Sequence, residues 1–385
     1  MPPALMRPVR TRSPIKLLIV LPSLVFGGIE RTTINILRNL KKIQPAIILH
    51  ENMEHYFIDI DCKVYRFEDF GACTPTLSPR SLYAYAKAVK KVSDRERSNI
   101  VMGIMQFAPI YATFARDFFF MKSKVVITYR GVVSEYLKII PLNRWGRLLI
   151  HFSVRRSSGI IVPSEGVKRD LVAHFGATEL NTRVIYNGID LDFVRAAAKE
   201  AVTLNKDCPW VVSSCRLDPQ KDFLTLLKAF RIVRNNIRVK LLIIGEGPQR
   251  ERILSWIKEM SLNEDVLLLG FQENPFRYVS KTDVFVLSSF VEGFGNVIVE
   301  AMALGIPVIS TDCPSGPGEI IQHGINGFLV PVGDYNRMAE SILNILSDRE
   351  LKDRISRAEL KRSEEFSAMK MAQDYEEYLI GLAES

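Results

Sequence analysis

Residues 284–330 read VFVLSSFVEGFGNVIVEAMALGIPVISTDCPSGPGEIIQHGINGFLV. The apolar run at 284–287 has β character and leads through a polar turn into the loop Glu292-Gly-Phe-Gly-Asn296. From Asn296 to Leu304 the apolar residues recur at helical spacing, so the segment predicts a strand, a loop and a helix. Gly293 and Gly295 let backbone approach a ligand closely, and the helix that follows offers free N–H groups to an anion or a hydroxyl-rich group. Glu292 before the helix and Glu300 on it bracket this turn, so they can reach two parts of one ligand. Each taken singly reads equally as a solvated carboxylate, the first in a turn and the second on a helix surface.

The same alternation continues outward in both directions. Residues 16–21 (KLLIVL), 46–49, 64–66, 100–103, 124–128 and 159–162 read as strands, and 29–40, 81–91, 110–119, 144–156 and 165–174 as helices. In the later half, strands are expected at 209–214, 239–244, 266–269 and 308–310, with helices after Lys221, at 335–346 behind Asp334, and at 366–382. Strands alternating with helices predict α/β layers built on parallel sheets. At 385 residues the chain suits two domains better than one core. Between the first strand and helix lies residues 22–28, PSLVFGG, a loop whose closing Gly27 and Gly28 bring bare backbone amides to a phosphate. It is not G-x-G-x-x-G, which disfavours a plain dinucleotide site.

The spacing from Glu292 to Glu300, E-x7-E, followed by AMALGIPVIS, a GPxEI loop and GINGFLV, resembles the retaining nucleotide-sugar glycosyltransferases of family 4. That resemblance implies the GT-B fold: two Rossmann-like domains facing across a cleft, with a C-terminal helix crossing back to the N-terminal domain. It implies that Glu292 contacts the donor sugar and Glu300 the ribose hydroxyls. Cys215-Arg-Leu-Asp-Pro-Gln-Lys221 is similar to the family's R-x4-K, so Arg216 and Lys221 are expected to offset the charge on the departing diphosphate. Glu292, Arg216 and Lys221 are therefore the catalytic candidates. The donor-binding candidates are Glu300, Gly27, Gly28, Gly245 in the Gly-Glu-Gly-Pro turn, Phe271 beside the base, and Phe294, Gly295, Asn296 and Val297. Residues 128–131 (TYRG) stand where many relatives place a donor-contacting histidine; the acceptor candidates are accordingly Tyr129 and Arg130. The five histidines lack metal-ligand spacing, so neither metal nor cofactor is expected beyond a UDP-linked donor.

Charge is distributed unevenly. Residues 1–190 carry 28 Lys and Arg against 15 Asp and Glu, a surplus of 13, while the remainder is acidic by 5, giving the net +8. With no recognisable nucleic-acid module, the basic half is read as facing a glycan or lipid-diphosphate acceptor or an anionic membrane surface, against the plainer reading of a soluble basic surface. Residues 109–124 and 136–156 mix aromatics with cations. The second stretch reads either as an interfacial helix with Trp145, Leu148 and Leu149 in lipid and Arg144, Arg147, Arg155 and Arg156 at headgroups, or as an ordinary core-facing helix. Five cysteines without a C-x-x-C pair indicate reduced thiols, and no apolar run reaches membrane-spanning length, so the expected location is cytoplasmic, at most peripheral on the inner face of the plasma membrane.

The expected organisation is a basic tail over 1–15, an acceptor domain over 16–190, a linker over 191–206, a nucleotide-sugar domain over 207–365 and a returning helix over 366–385. The function it predicts is retaining transfer of a hexose or N-acetylhexosamine to a glycan or lipid-linked glycan. A GT-B phosphorylase, a nucleotide-sugar epimerase, or a non-catalytic module that binds UDP-sugar or membrane would share the cleft.

Overall fold

The computed structural model describes residues 14–21, 27–49, 62–105, 107–139 and 142–385. The expected tail over 1–15, apart from its last two residues, loop positions 22–26, His50 and His55 lie outside the described residues. Strands β1 (Ile15–Val20), β2 (Ile43–Leu49), β3 (Lys63–Arg66), β4 (Ile100–Ile104), β5 (Lys124–Thr128), β6 (Gly159–Val162) and β7 (Thr182–Val184) form a parallel sheet in the order β3-β2-β1-β4-β5-β6-β7. Strands β8 (Trp210–Ser214), β9 (Lys240–Ile244), β10 (Val266–Gly270), β11 (Val284–Leu287), β12 (Val308–Thr311) and β13 (Phe328–Val330) form a second, ordered β10-β9-β8-β11-β12-β13. Each sheet thus reverses its strand order beside its first strand. Ligands of open parallel sheets bind beyond the carboxyl ends of the strands at such points.

The apolar runs of the central strands follow from burial on both faces. In β1, Leu18 and Val20 pack under α2 (Pro79–Glu96), α3 (Ala108–Phe119) and α5 (Arg144–Arg156), in a cluster with Tyr85, Tyr111 and Leu149. Leu17 and Ile19 face the opposite way, toward Ile36 and Leu37 of α1 (Gly28–Asn39) and Met371, Tyr375 and Leu379 of α15 (Ala368–Glu384). The last helix of the chain is therefore part of the first domain's core. Full burial of a large apolar side chain is worth ~1.5–3 kcal/mol, so this packing fixes the crossover firmly. The chain crosses the seam as two hydrogen-bonded strands: the Ile189 amide donates to the Phe366 carbonyl at 2.8 Å and the Ala368 amide to that of Ile189 at 2.9 Å.

The structure departs from the expected organisation in one place and adds a helix to it. Residues 191–206 open not as free linker but as helix α7 (Leu191–Ala197), capped by the Asp190 side chain, with Leu191, Val194 and Ala198 in the second domain's core. The stretch 136–156 holds parts of two helices, α4 (Val133–Ile139) and α5, the latter as expected over 144–156, and Asn143 caps α5 by accepting from the Gly146 amide at 2.8 Å. A helix absent from the sequence reading, α14 (Arg349–Ser363), buries Ile355 and Glu359 and is joined to β12 by the Val308 amide, which donates to Glu359 Oε1 at 2.7 Å. Among the described residues no helix is long and apolar enough to cross a membrane.

Candidate active site

The loops after β8 and β11, neighbours across the strand-order reversal, are bonded to each other. Ser288 Oγ donates to the Lys221 carbonyl at 2.7 Å and the Phe290 amide to that of Gln220 at 3.0 Å. This brings Lys221 Nζ to 2.5 Å from Glu292 Oε1, with both side chains nearly shielded from water. Ser289 Oγ donates to the same carboxylate oxygen at 2.5 Å. Burial acts to lower the Lys221 pKa, but the facing Glu292 carboxylate and its hydrogen bond outweigh that and raise it above the ordinary lysine value. The ammonium is therefore fully charged in the physiological range. Burial pushes the neighbouring Cys215 thiol up to about 11, so it is no thiolate nucleophile.

Helix α11 (Asn296–Ala303) starts at this loop. Gly295 caps it with φ +100°, a left-handed conformation that strains any side chain. Gly293 lies directly against the facing domain: a Cβ there would stand 2.0 Å from the Arg130 carbonyl oxygen, so glycine is required for the two domains to meet. Domain contact thus accounts for Gly293, which the sequence pattern suggested for ligand approach. Val291 also buries itself in the first domain's core cluster. Asn296 spans the cleft, accepting from Asn187 Nδ2 at 2.9 Å and donating to the Gly28 carbonyl at 3.4 Å and Thr32 Oγ1 at 3.3 Å. Gly27 and Gly28 thus stand at the start of α1 directly opposite the start of α11.

Glu300 is nearly buried one helical stretch further on, where Val297, Ser214, Pro275 and Phe276 share a crevice with it. Its Oε1 receives Arg31 Nη1 of the facing domain at 3.0 Å. Arg216 does not join the Lys221–Glu292 pair. Its guanidinium forks onto Asp218 of its own loop at 3.0 and 3.3 Å and is largely exposed. Gly245 lies beside that loop, its amide donating to the Gly270 carbonyl at 2.8 Å, and Phe271 follows at the mouth of β10, half exposed.

Other expected contacts are turned away from the cleft. The Phe294 ring is buried between Tyr186 and Phe366, with centroids at 5.7 and 5.5 Å, and its backbone packs against Gly316. Tyr129, expected on the acceptor side, is buried in the first domain with its hydroxyl 3.2 Å from Ser153 Oγ, and burial pushes its pKa up to about 12. Arg130 is likewise engaged internally: Nη1 donates to Asn187 Oδ1 at 3.0 Å and Nη2 to the Tyr375 hydroxyl at 2.9 Å. It ties β5, the seam and α15 together, so in this arrangement the Tyr129 hydroxyl and the two Arg130 Nη groups are held by the protein rather than presented to an acceptor.

Sequence reasoning missed Arg31 and also the work of the GPxEI loop. The Glu319 carboxylate accepts from the Glu165 and Gly166 amides at 2.7 and 3.0 Å, so the second domain supplies a cap to α6 (Glu165–Phe175) of the first. Ser164 Oγ, beside it, donates to the Gly293 carbonyl at 2.7 Å. Among the described residues no group of three or more His, Cys, Asp and Glu side chains is arranged to hold a metal ion.

Comparison with known proteins agrees with this geometry. Residues 194–362 match the family described as Glycosyl transferases group 1, and residues 26–193 that described as Glycosyltransferase Family 4. Over 369 residues the chain is 31% identical to the N-acetylgalactosamine-N,N'-diacetylbacillosaminyl-diphospho-undecaprenol 4-alpha-N-acetylgalactosaminyltransferase of Campylobacter jejuni, covering 95% of this chain and 100% of that one. It is 28% identical over 345 residues to the N-acetyl-alpha-D-glucosaminyl L-malate synthase of Bacillus anthracis, covering 88% and 84%. Among solved structures, HepE of Anabaena, crystallised with UDP, superposes with a TM-score of 0.79 at 21% identity over 95% of this chain and 100% of that one, which shows the shared fold. Sequence likeness along nearly the whole chain and two facing parallel sheets that meet at the Glu292 loop lead to one assignment: this chain belongs to the family 4 glycosyltransferases, with the GT-B fold, and is a glycosyltransferase.

Proposed function

We propose that the chain moves an N-acetylhexosamine from a UDP-sugar to a glycan carried on a lipid diphosphate, with retention of anomeric configuration and without a metal ion. The observation that carries this reading is the placement of two carboxylates, one in the loop before α11 and one on the helix, each held by a cation: Glu292 by Lys221 of its own domain and Glu300 by Arg31 of the facing one. In this reading Glu300 takes the ribose hydroxyls and Glu292 positions the sugar. Lys221 and Arg216 offset the charge that grows on the diphosphate as the bond from its oxygen to the anomeric carbon breaks. The acceptor hydroxyl bonds to that carbon from the same face, and its proton passes to the departing diphosphate oxygen. Positioning and electrostatics supply most of the rate. The lipid-diphosphate acceptor is supported by the Campylobacter relative, whose name specifies a diphospho-undecaprenol acceptor.

A membrane surface as partner is supported by the outer face of the α2–α3–α5 layer. Tyr83, Phe118, Phe120, Trp145 and Leu148 are exposed there, and Arg144, Arg147, Arg155 and Arg156 are exposed on α5. Leu149 points into the core instead, so the interfacial stripe is narrower than the sequence suggested. Such a face gains from apolar insertion and from anionic headgroups together.

The test is to offer radiolabelled UDP-N-acetylglucosamine, UDP-N-acetylgalactosamine and UDP-glucose with polyprenyl-diphosphate glycans in anionic vesicles, with and without EDTA. Label in the organic phase that persists in EDTA, with an α-linkage by NMR, is the expected result. Absence of product with every donor, together with absence of UDP binding, removes the reading. Co-sedimentation with anionic but not zwitterionic vesicles, lost in Phe118→Ser/Leu148→Ser, is expected for the membrane surface.

A further inference from the structure

Three acid–cation pairs surround the cleft: Lys221–Glu292, Arg216–Asp218 and Arg31–Glu300. The first two form within the second domain, whereas Arg31 reaches Glu300 from the other side of the cleft. Arg31 rises from the beginning of α1, its amide donating to the Gly27 carbonyl at 3.2 Å and its guanidinium lying over the Phe276 ring at 5.6 Å. The Arg31 side chain is 43% exposed and that of Glu300 only 11%. The cation can therefore swing on its flexible stem, while the carboxylate stays fixed in its crevice.

We propose that Arg31 is a displaceable cation of the donor site: it occupies Glu300 until nucleotide arrives, is released as ribose hydroxyls take that carboxylate, and then binds the donor diphosphate from the first-domain side. This rests on the nucleotide-sugar reading above. Hydroxyl groups satisfy a carboxylate without bringing charge, so the guanidinium they displace is left unpaired. The diphosphate of the same ligand is the anion that repairs this loss, and a guanidinium can meet phosphate oxygens bidentately. Lys221 and Arg216 each keep a carboxylate that the ribose does not claim. Arg31 is thus the one of the three cations whose partner is claimed by the nucleotide part of the ligand. Since the exchange moves Arg31 from one domain's carboxylate to the ligand held in that domain, closure of the cleft survives it.

Titration of the purified full chain with UDP and with uridine, by calorimetry and by displacement, separates this role from a structural one. GDP and guanosine are run alongside as the second base. In Arg31→Ala, UDP affinity is expected to fall about tenfold or more, whereas uridine binds as tightly as before or more tightly, because Glu300 no longer has to be vacated. Arg31→Lys retains part of the UDP affinity and keeps the test open should the alanine variant lose its fold. Equal weakening of both ligands, or undiminished UDP binding, overturns the proposal. A wild-type chain that binds neither UDP nor GDP instead overturns the nucleotide-sugar reading beneath it.

Discussion

The two rims of the cleft differ in how their chemistry is built. On the second-domain rim, Lys221, Glu292, Asn296 and Glu300 sit on two cross-bonded loops and one helix, with Lys221 and Glu292 paired and Asn296 and Glu300 bonded across the cleft. On the first-domain rim, Tyr129 and Arg130 follow the last residue of β5 and yet turn inward, one to Ser153 and the other to Asn187 and Tyr375. The end of a parallel strand marks where a ligand can bind, but it does not decide which way the next side chain points. That direction is set by what must be satisfied in the layer beneath.

The largest effect expected from this contrast is on the second rim. Glu292→Ala and Lys221→Ala should each lower turnover by a factor on the order of a hundred to a thousand, the range seen when one electrostatic partner of a transition state is removed. Each should also destabilise the fold by about 3–5 kcal/mol, since the remaining charge is left buried and unpaired. The double variant Lys221→Met/Glu292→Gln should recover much of the stability and none of the activity. Initial rates of sugar transfer, read beside urea midpoints, make the check. Turnover within threefold of wild type in Glu292→Ala would move the chemistry to another part of the cleft.

The first rim predicts the opposite pattern. Arg130→Ala removes two charge-assisted hydrogen bonds from a tie between β5, the seam and α15, and should cost about 2–4 kcal/mol. Turnover per folded molecule should change by no more than a few-fold. A variant with unchanged stability and lost transfer would restore Arg130 as an acceptor residue.

How much of this was legible depended on where each signal was stored. Strands 124–128 and 159–162 and helix 144–156 match β5, β6 and α5 because uninterrupted apolar runs and helical spacing are local properties. Helix α14 escaped because RELKDRISRAELKRS shows almost no apolar stripe; it buries only Ile355, Glu359 and Ser363. Helix α7 escaped because its charged, alanine-rich sequence resembles a solvated linker. The pair Arg31–Glu300, separated by 269 positions, depends on how two domains face each other, which no local pattern carries. A faint signal was present in GGIER: a cation near a helix N-terminus opposes the helix dipole, and a local rule broken without visible gain points to a functional site.

A third prediction sharpens what the Lys221–Glu292 pairing accomplishes, by comparison with a buried acid that lacks a cation. Glu359 is fully buried behind β12, with Oε1 accepting from the Val308 amide at 2.7 Å and Oε2 without a hydrogen-bond partner. Burial raises its pKa well above the model-compound 4.5, and the amide bond only partly opposes this. A carboxyl that stays protonated in the native state but ionises in the unfolded chain lowers stability as pH rises from about 4.5 toward the native pKa. Glu359→Gln should therefore remove a downward slope of Tm that sets in above the ordinary carboxyl range, with its advantage over wild type growing as pH rises toward the native pKa. Identical slopes in the two proteins would mean that the carboxyl is ionised in the native state.

The smallest effect is the one that tests the inward turn of the first rim most directly. The Tyr129 hydroxyl meets Ser153 Oγ at 3.2 Å inside the core, and Ser153 Oγ donates in turn to the Ile150 carbonyl at 2.9 Å. Removing the hydroxyl leaves Ser153 still bonded through Ile150, so Tyr129→Phe strands no buried donor and should cost at most about 1 kcal/mol. Since the ring continues to fill the same space under α5, acceptor KM and turnover should both match wild type. A rise in acceptor KM at unchanged stability would mean that the hydroxyl reaches the substrate after all, which its burial beside Ser153 does not permit without opening the layer between β5 and α5.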